Sequence, residues 1–255
     1  MTQNIDPVYF LEPVIIILFS AGLVVYWHYR RSFRWALLGY SLLAYAGAIA
    51  VKVVLQALTF STFQAWFGNN PPGLGVYFGA QTVFFEVGGA FLVAAWAVSR
   101  GKLDAKDAEG YGLGLALWEN GGYVGVFGLV NFIVVYIMLA SGGPNSQQLF
   151  SSLVRARPEL FYAPLEALPL VGYGILERVS SLFFHFSWGY LCLLAACFHK
   201  KSCFLLALPM GLVDFFVPFA STLTIPVFEW GIFILGSGAL GVALLVAKSL
   251  RLDHV

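Results

Sequence analysis

An all-α bundle of about seven membrane-crossing helices is the fold class that this sequence predicts, on three observations. Of 255 residues, 60% are hydrophobic and only 11% charged, against about 25% charged in a typical soluble domain. The mean hydropathy is +0.82. Seven segments, about 8–28, 35–58, 74–99, 110–139, 171–198, 203–222 and 225–247, are also long and apolar enough; a helix needs roughly 20 such residues to cross the hydrocarbon core. Residues 1–255 are expected to form a single integral membrane domain.

The first segment follows "MTQNIDPVYFLEP". That stretch has acids and no basic n-region, so it reads as a retained helix rather than a cleaved signal peptide. The second carries Lys52, two turns or so from its outer end. The third, "GVYFGAQTVFFEVGGAFLVAAW", places Glu86 about halfway along. The fourth opens on the glycine-rich "GYGLGLALWENG" with Glu119 inside it, and glycine lets helix backbones approach closely in a membrane. A long outer loop follows. Its alternating apolar and polar residues predict a surface helix over about 147–156 and then a re-entrant or extended stretch. The fifth segment holds Glu177, Arg178 and His185 in "LERVSSLFFHFSWG". The sixth contains Asp214 and is broken or kinked by Pro209 and Pro218. The seventh is apolar, with Gly236, Gly238 and Gly241 on a packing face.

Basic residues orient the bundle. Arg30, Arg31, Arg34, Arg100, Lys102, Lys106, Lys200, Lys201, Lys248 and Arg251 fall on alternate loops of one side. By the positive-inside rule the N-terminus is outside and the C-terminus cytoplasmic, in a multi-pass protein of the plasma membrane. A net charge of +1 with no basic tract gives no reason to expect nucleic acid as a partner. Membrane lipids are the expected surroundings. Cys192, Cys197 and Cys203 show no paired spacing, so neither a disulfide framework nor a zinc–thiolate site is indicated. Lys248 sits at a span end, where it cannot carry a retinal. His28, His199 and His254 lie at cytoplasmic ends, so no pair of mid-membrane histidines exists to ligate haem.

Ionisable groups at bilayer depth cost at least about 2.5–3.5 kcal/mol each and mark function by default. Glu86, Glu119, His185 and Asp214 come from four different segments and fall at one depth, which predicts a shared polar chamber. Glu86 and Glu119 have no cation at their own depth on this reading. Glu177, Ser181 and His185 recur at every fourth position and so share one helix face. Nearer the outer face, Lys52 or Arg178 is expected to neutralise Glu177 in a structural ion pair. A proton or solute pathway could use the same four mid-depth groups.

At these residues, over about 75–220, the chain resembles the YhfC-type intramembrane metalloproteases. These are relatives of the CAAX proteases, the bacteriocin-processing enzymes and the PrsW proteases. "FFEVGGAF" stands where those families carry Glu-Glu-x-x-x-Arg, and "GYGLGLALWENG" matches a G-x-G-x-G-x-x-x-E helix. "LERVSSLFFHFSWG" matches an E-R…H helix, and "PMGLVDFF" a His-x-x-x-Asp or Asn helix. The chain departs at Phe85, Ala90, Leu115 and Met210, where the families tend to have Glu, Arg, His and His. The resemblance implies a CAAX-protease-like core that hydrolyses a transmembrane-helix substrate. Glu86 would activate water, and His185 would stabilise the oxyanion or, with Glu119 and Asp214, hold one divalent metal such as zinc. The same superfamily contains a non-catalytic branch, the scaffold subunit of gamma-secretase. The lost histidines therefore also suit a scaffold that binds a partner's transmembrane helix.

Overall fold

The computed structural model describes residues 4–68 and 70–250; Arg251 and His254 lie outside them. Among the described residues every regular element is helical. Seven helices are long and apolar enough to cross a membrane, and we number them as spans: Pro7–Arg31, Ala36–Phe67, Pro71–Ser99, Ala105–Ala140, Pro164–Phe198, Lys201–Ser221 and Ile225–Ser249. The polytopic all-α bundle is therefore the observed architecture.

Two boundaries differ from the sequence expectation in ways that matter. The second span runs to Phe67 rather than to about residue 58, because "STFQAW" continues the helix until Gly68, whose φ of 65° ends it. At 32 residues this helix is about 48 Å long, longer than the roughly 30 Å hydrocarbon core. The fifth span begins at Pro164, not near 171. Proline suits the first helical turn, where its missing N–H costs nothing, and Pro144, Pro158 and Pro164 each open an element this way. The long connection between the fourth and fifth spans thus holds a helix, Pro144–Ala156, and a single 3-10 turn, Pro158–Phe161, in place of a re-entrant stretch. Tyr9 ties the first span to this turn by donating to the Glu159 carbonyl at 2.6 Å.

The sixth span is broken, as its prolines predict. Short α-helical pieces, Lys201–Ala207 and Val213–Phe216, alternate with the 3-10 turns Leu208–Leu212 and Val217–Ser221.

The fifth span is the axis of the bundle. Its most apolar stretch is 72% buried, against a third or less for the other six, and it packs on the first, third, fourth, sixth and seventh spans. Lipid supplies no hydrophobic force between helices, so close van der Waals contact must hold them. The fourth and fifth spans achieve it where glycine faces glycine. A Cβ on Gly112 would run into the Phe186 carbonyl, and one on Gly189 would lie 2.9 Å from the Gly112 Cα. The lipid-facing surfaces of the outer spans remain apolar, with Leu58, Phe84, Leu92 and Leu245 all exposed.

At the basic end, Arg34 hydrogen-bonds Asp107 and lies 3.5 Å from Asp104, clasping the first connection to the start of the fourth span. The hydrogen bond to Asp107 pushes the Arg34 pKa up from its ordinary value.

The glycine contact yields a stability prediction. Gly112→Val should destabilise the bundle by about 1–3 kcal/mol, the usual cost of overpacking a filled core. Thermal unfolding of the detergent-solubilised protein should show this as a lowered Tm, with Gly128→Val as the neutral control because space is open there.

Candidate functional site

The two membrane glutamates of the third and fourth spans share a backbone peculiarity. Glu86 lies in a π-helical segment, Thr82–Val87, and Glu119 in another, Leu117–Phe127. A π turn inserts one extra residue, rotating the side chains that follow, and such segments gather at functional sites. Here they turn both carboxylates inward.

Glu86, Glu119, His185 and Asp214 line one cavity of about 290 Å³, together with Lys52 and Arg178. Each lies near the middle of its span. Glu86 is the hub. Its Oε1 accepts from the Lys52 ammonium, and its Oε2 lies 3.3 Å from His185 Nε2. Lys52 also donates to the Thr82 hydroxyl at 2.8 Å and to Asp214 Oδ2 at 3.1 Å, while Thr82 donates to Asp214. The three ammonium donors thus reach three oxygens from two other spans. The side chains of Glu86 and His185 are each 7% exposed, whereas Asp214 is 31% exposed, so the cavity opens on its side.

The imidazole is held from behind. His185 Nδ1 lies 2.9 Å from the Ser181 carbonyl, one turn earlier on the same face. A carbonyl only accepts, so Nδ1 carries a proton. A close contact between Nε2 and the Glu86 carboxyl then requires a second proton between those two atoms. Trp188 and Tyr45 wall the ring, at centroid distances of 4.2 and 6.2 Å. Glu119 accepts from the Tyr45 hydroxyl and lies 3.7 Å from Arg178, which also pairs with its neighbour Glu177.

Of the two cations expected for Glu177, Arg178 pairs with it and Lys52 does not: Lys52 sits at the middle of its long helix, against Glu86 and Asp214. Contrary to expectation, Glu86 and Glu119 do have cations at their own depth. Ending the second span nine residues early, at 58 rather than Phe67, puts Lys52 near the rim, and starting the fifth near 171 rather than at Pro164 does the same to Arg178. Thr82 and Tyr45 were not singled out from the sequence. An apolar segment tolerates either for many reasons, and only the contact with Asp214 or Glu119 gives them a role.

Departures from the related motifs also have a physical reading. Ala90 is fully buried and its carbonyl accepts from Tyr111 at 2.8 Å. Leu115 is buried against Gly189, and Met210 is buried among apolar neighbours. Close packing fills the places where those families tend to carry arginine or histidine.

Compared with known proteins, the chain matches the family model described as YhfC intramembrane metalloprotease over residues 15–223. No curated protein and no solved structure matches it. That description implies a metal, so the donor set can be tested for fit. The ligand set expected from the sequence, His185 with Glu119 and Asp214, does not assemble. Glu119 faces Tyr45 and Arg178, Asp214 faces Lys52 and Thr82, and His185 faces Glu86. Among the described residues no group of three or more His, Cys, Asp or Glu side chains could hold an ion. A single imidazole is also few for catalytic zinc, whose three protein ligands commonly include two or three histidines. The residues do not fit a bound metal.

If the cavity is hydrated, a thiol placed in it should react with a charged reagent. In a background lacking Cys197 and Cys203, Ser181→Cys should be labelled by a water-soluble methanethiosulfonate in proteoliposomes. Cys192, fully buried, should stay unlabelled. A mass-shift assay reads both, and an unreactive Ser181→Cys would mean a dry, sealed pocket.

Proposed function

The chain belongs to the YhfC intramembrane metalloprotease family, and from that premise we propose that it hydrolyses peptide bonds of a transmembrane segment at the Glu86–His185 pair. The observation that supports this reading is the common cavity: a carboxylate and an imidazole 3.3 Å apart, mid-span, beside three further acids. Glu86 is the general base. It takes a proton from a water held in the cavity as that water attacks the scissile carbonyl carbon. His185, protonated at both nitrogens, donates from Nε2 to the developing oxyanion. When the tetrahedral intermediate collapses, Glu86 returns the proton to the leaving amine. Glu119 and Arg178 form the cavity's second wall and position the substrate strand, and Asp214 lies at its open side. The basic ends of the spans support an N-terminus outside and a cytoplasmic C-terminus in the plasma membrane.

A second reading has its own supporting observation. Every acid of the cavity already has a cationic or hydroxyl partner, and the family's additional histidines are replaced by packing residues. A non-catalytic scaffold that binds a partner's transmembrane helix would look the same.

Activity separates the two. Purified protein should cleave fluorogenic peptides that carry a membrane helix, and Glu86→Gln or His185→Ala should lower the rate by about 10²–10⁴-fold, the usual contribution of acid–base groups. Equal signals from wild type and both variants would assign the chain to the scaffold class.

A further inference from the structure

Among the described residues Lys52 is the only lysine placed mid-span, and its ammonium sits at the hub of the cavity's acids. Its ammonium touches Glu86 from the third span, Asp214 from the sixth and the Thr82 hydroxyl between them. These two carboxylates, with His185 on the far oxygen of Glu86, are the donors that a divalent ion at the hub would use. The Lys52 ammonium already bridges both carboxylates, so a positive charge occupies the space between them. A dication brought to the same oxygens would lie against that ammonium, and like charges in a low-dielectric site repel strongly. The Nδ1 bond to Ser181 would by itself suit a metal ligand; the ammonium on both carboxylates does not.

We propose that Lys52 is the resident cation of this site, holding Glu86 and Asp214 together in the place of a divalent metal, so that the chain works without bound metal. The proposal rests on the hydrolytic reading for its consequence, but not for its geometry. Lys52 is a positioning residue here: it fixes the Glu86 carboxylate with Oε2 turned to His185, and holds the sixth span to the third through Asp214. The family description and the donor set then disagree for a stated reason, because the position of the ion is filled by a side chain.

Metal content tests this directly. Full-length protein purified in detergent without chelators should contain no stoichiometric divalent metal by inductively coupled plasma mass spectrometry. Titration with cobalt(II) should show no saturable binding in its visible absorption. Lys52→Arg keeps the charge and should stay metal-free, with hydrolysis within about tenfold of wild type. Lys52→Met removes the charge at nearly constant length, freeing Glu86, Asp214 and His185. It should gain a saturable cobalt(II) site and lose hydrolysis. Stoichiometric metal in the wild type that disappears in His185→Ala would overturn the proposal. So would a folded Lys52→Met protein that takes up no cobalt. Should Lys52→Met fail to fold, the metal content of wild type and Lys52→Arg decides alone. The outcomes are separable from those of the hydrolytic reading. A metal-free wild type that cleaves nothing upholds the Lys52 assignment and sinks the protease. A metal-loaded wild type that cleaves does the reverse.

Discussion

Ionised groups at the centre of a bilayer are expensive, about 2.5 kcal/mol on insertion scales and more than 10 in simulations of an isolated helix, and the bundle is organised so that none of its central ones stands alone. The pairing of Lys52 with Glu86 and Asp214 is the contact on which the rest depends. It joins the second, third and sixth spans at mid-depth and turns the remaining Glu86 oxygen toward His185 on the fifth. Removing one partner of a buried pair leaves the other uncompensated, which costs about 3–5 kcal/mol. The network therefore constrains where four helices can sit, whatever chemistry it serves.

The backbone is irregular in the same region. Two π segments carry Glu86 and Glu119, and the sixth span passes Asp214 through alternating α and 3-10 turns. Non-helical backbone at membrane depth survives only where protein or a wet cavity surrounds it. A polar cavity bordered by these elements meets that condition. On the opposite side of the fifth span the regime changes. Gly112 and Gly189 bring the fourth and fifth helices into backbone contact, and Cys192, Leu193 and Leu194 are fully buried. One helix thus has a polar, cavity-lining face in its N-terminal half and a tightly packed half toward the basic end. The packed half holds the position of the polar one.

Replacement of motif residues by packing residues follows from this division. Ala90, Leu115 and Met210 all belong to the main apolar core, where a histidine or arginine would have to displace packed apolar side chains. What lines the cavity is one imidazole, four acids, one lysine and one arginine, with Gln56, Thr82 and Ser181 beside them. Peptide hydrolysis by a base and an oxyanion donor needs no more groups than these.

The sequence alone determined the class of the protein: its seven apolar segments, the breaks at Pro209 and Pro218, the glycine-rich fourth helix and the mid-depth placing of Glu86, Glu119, His185 and Asp214. These follow from composition and from rise per residue, which are local quantities. The E-R…H and glycine-rich motifs likewise pointed to the family. Tertiary structure alone decided who pairs with whom. Lys52 changed from a rim residue to the hub cation because nothing before Gly68 stops the second helix, and an apolar run does not show its own centre. Thr82 reaches Asp214, 132 positions away, and Tyr45 reaches Glu119, 74 positions away. The π turns that aim Glu86 and Glu119 inward have no signature in residue spacing. Charge pairing across helices depends on rotation and register, which periodicity along one helix does not contain.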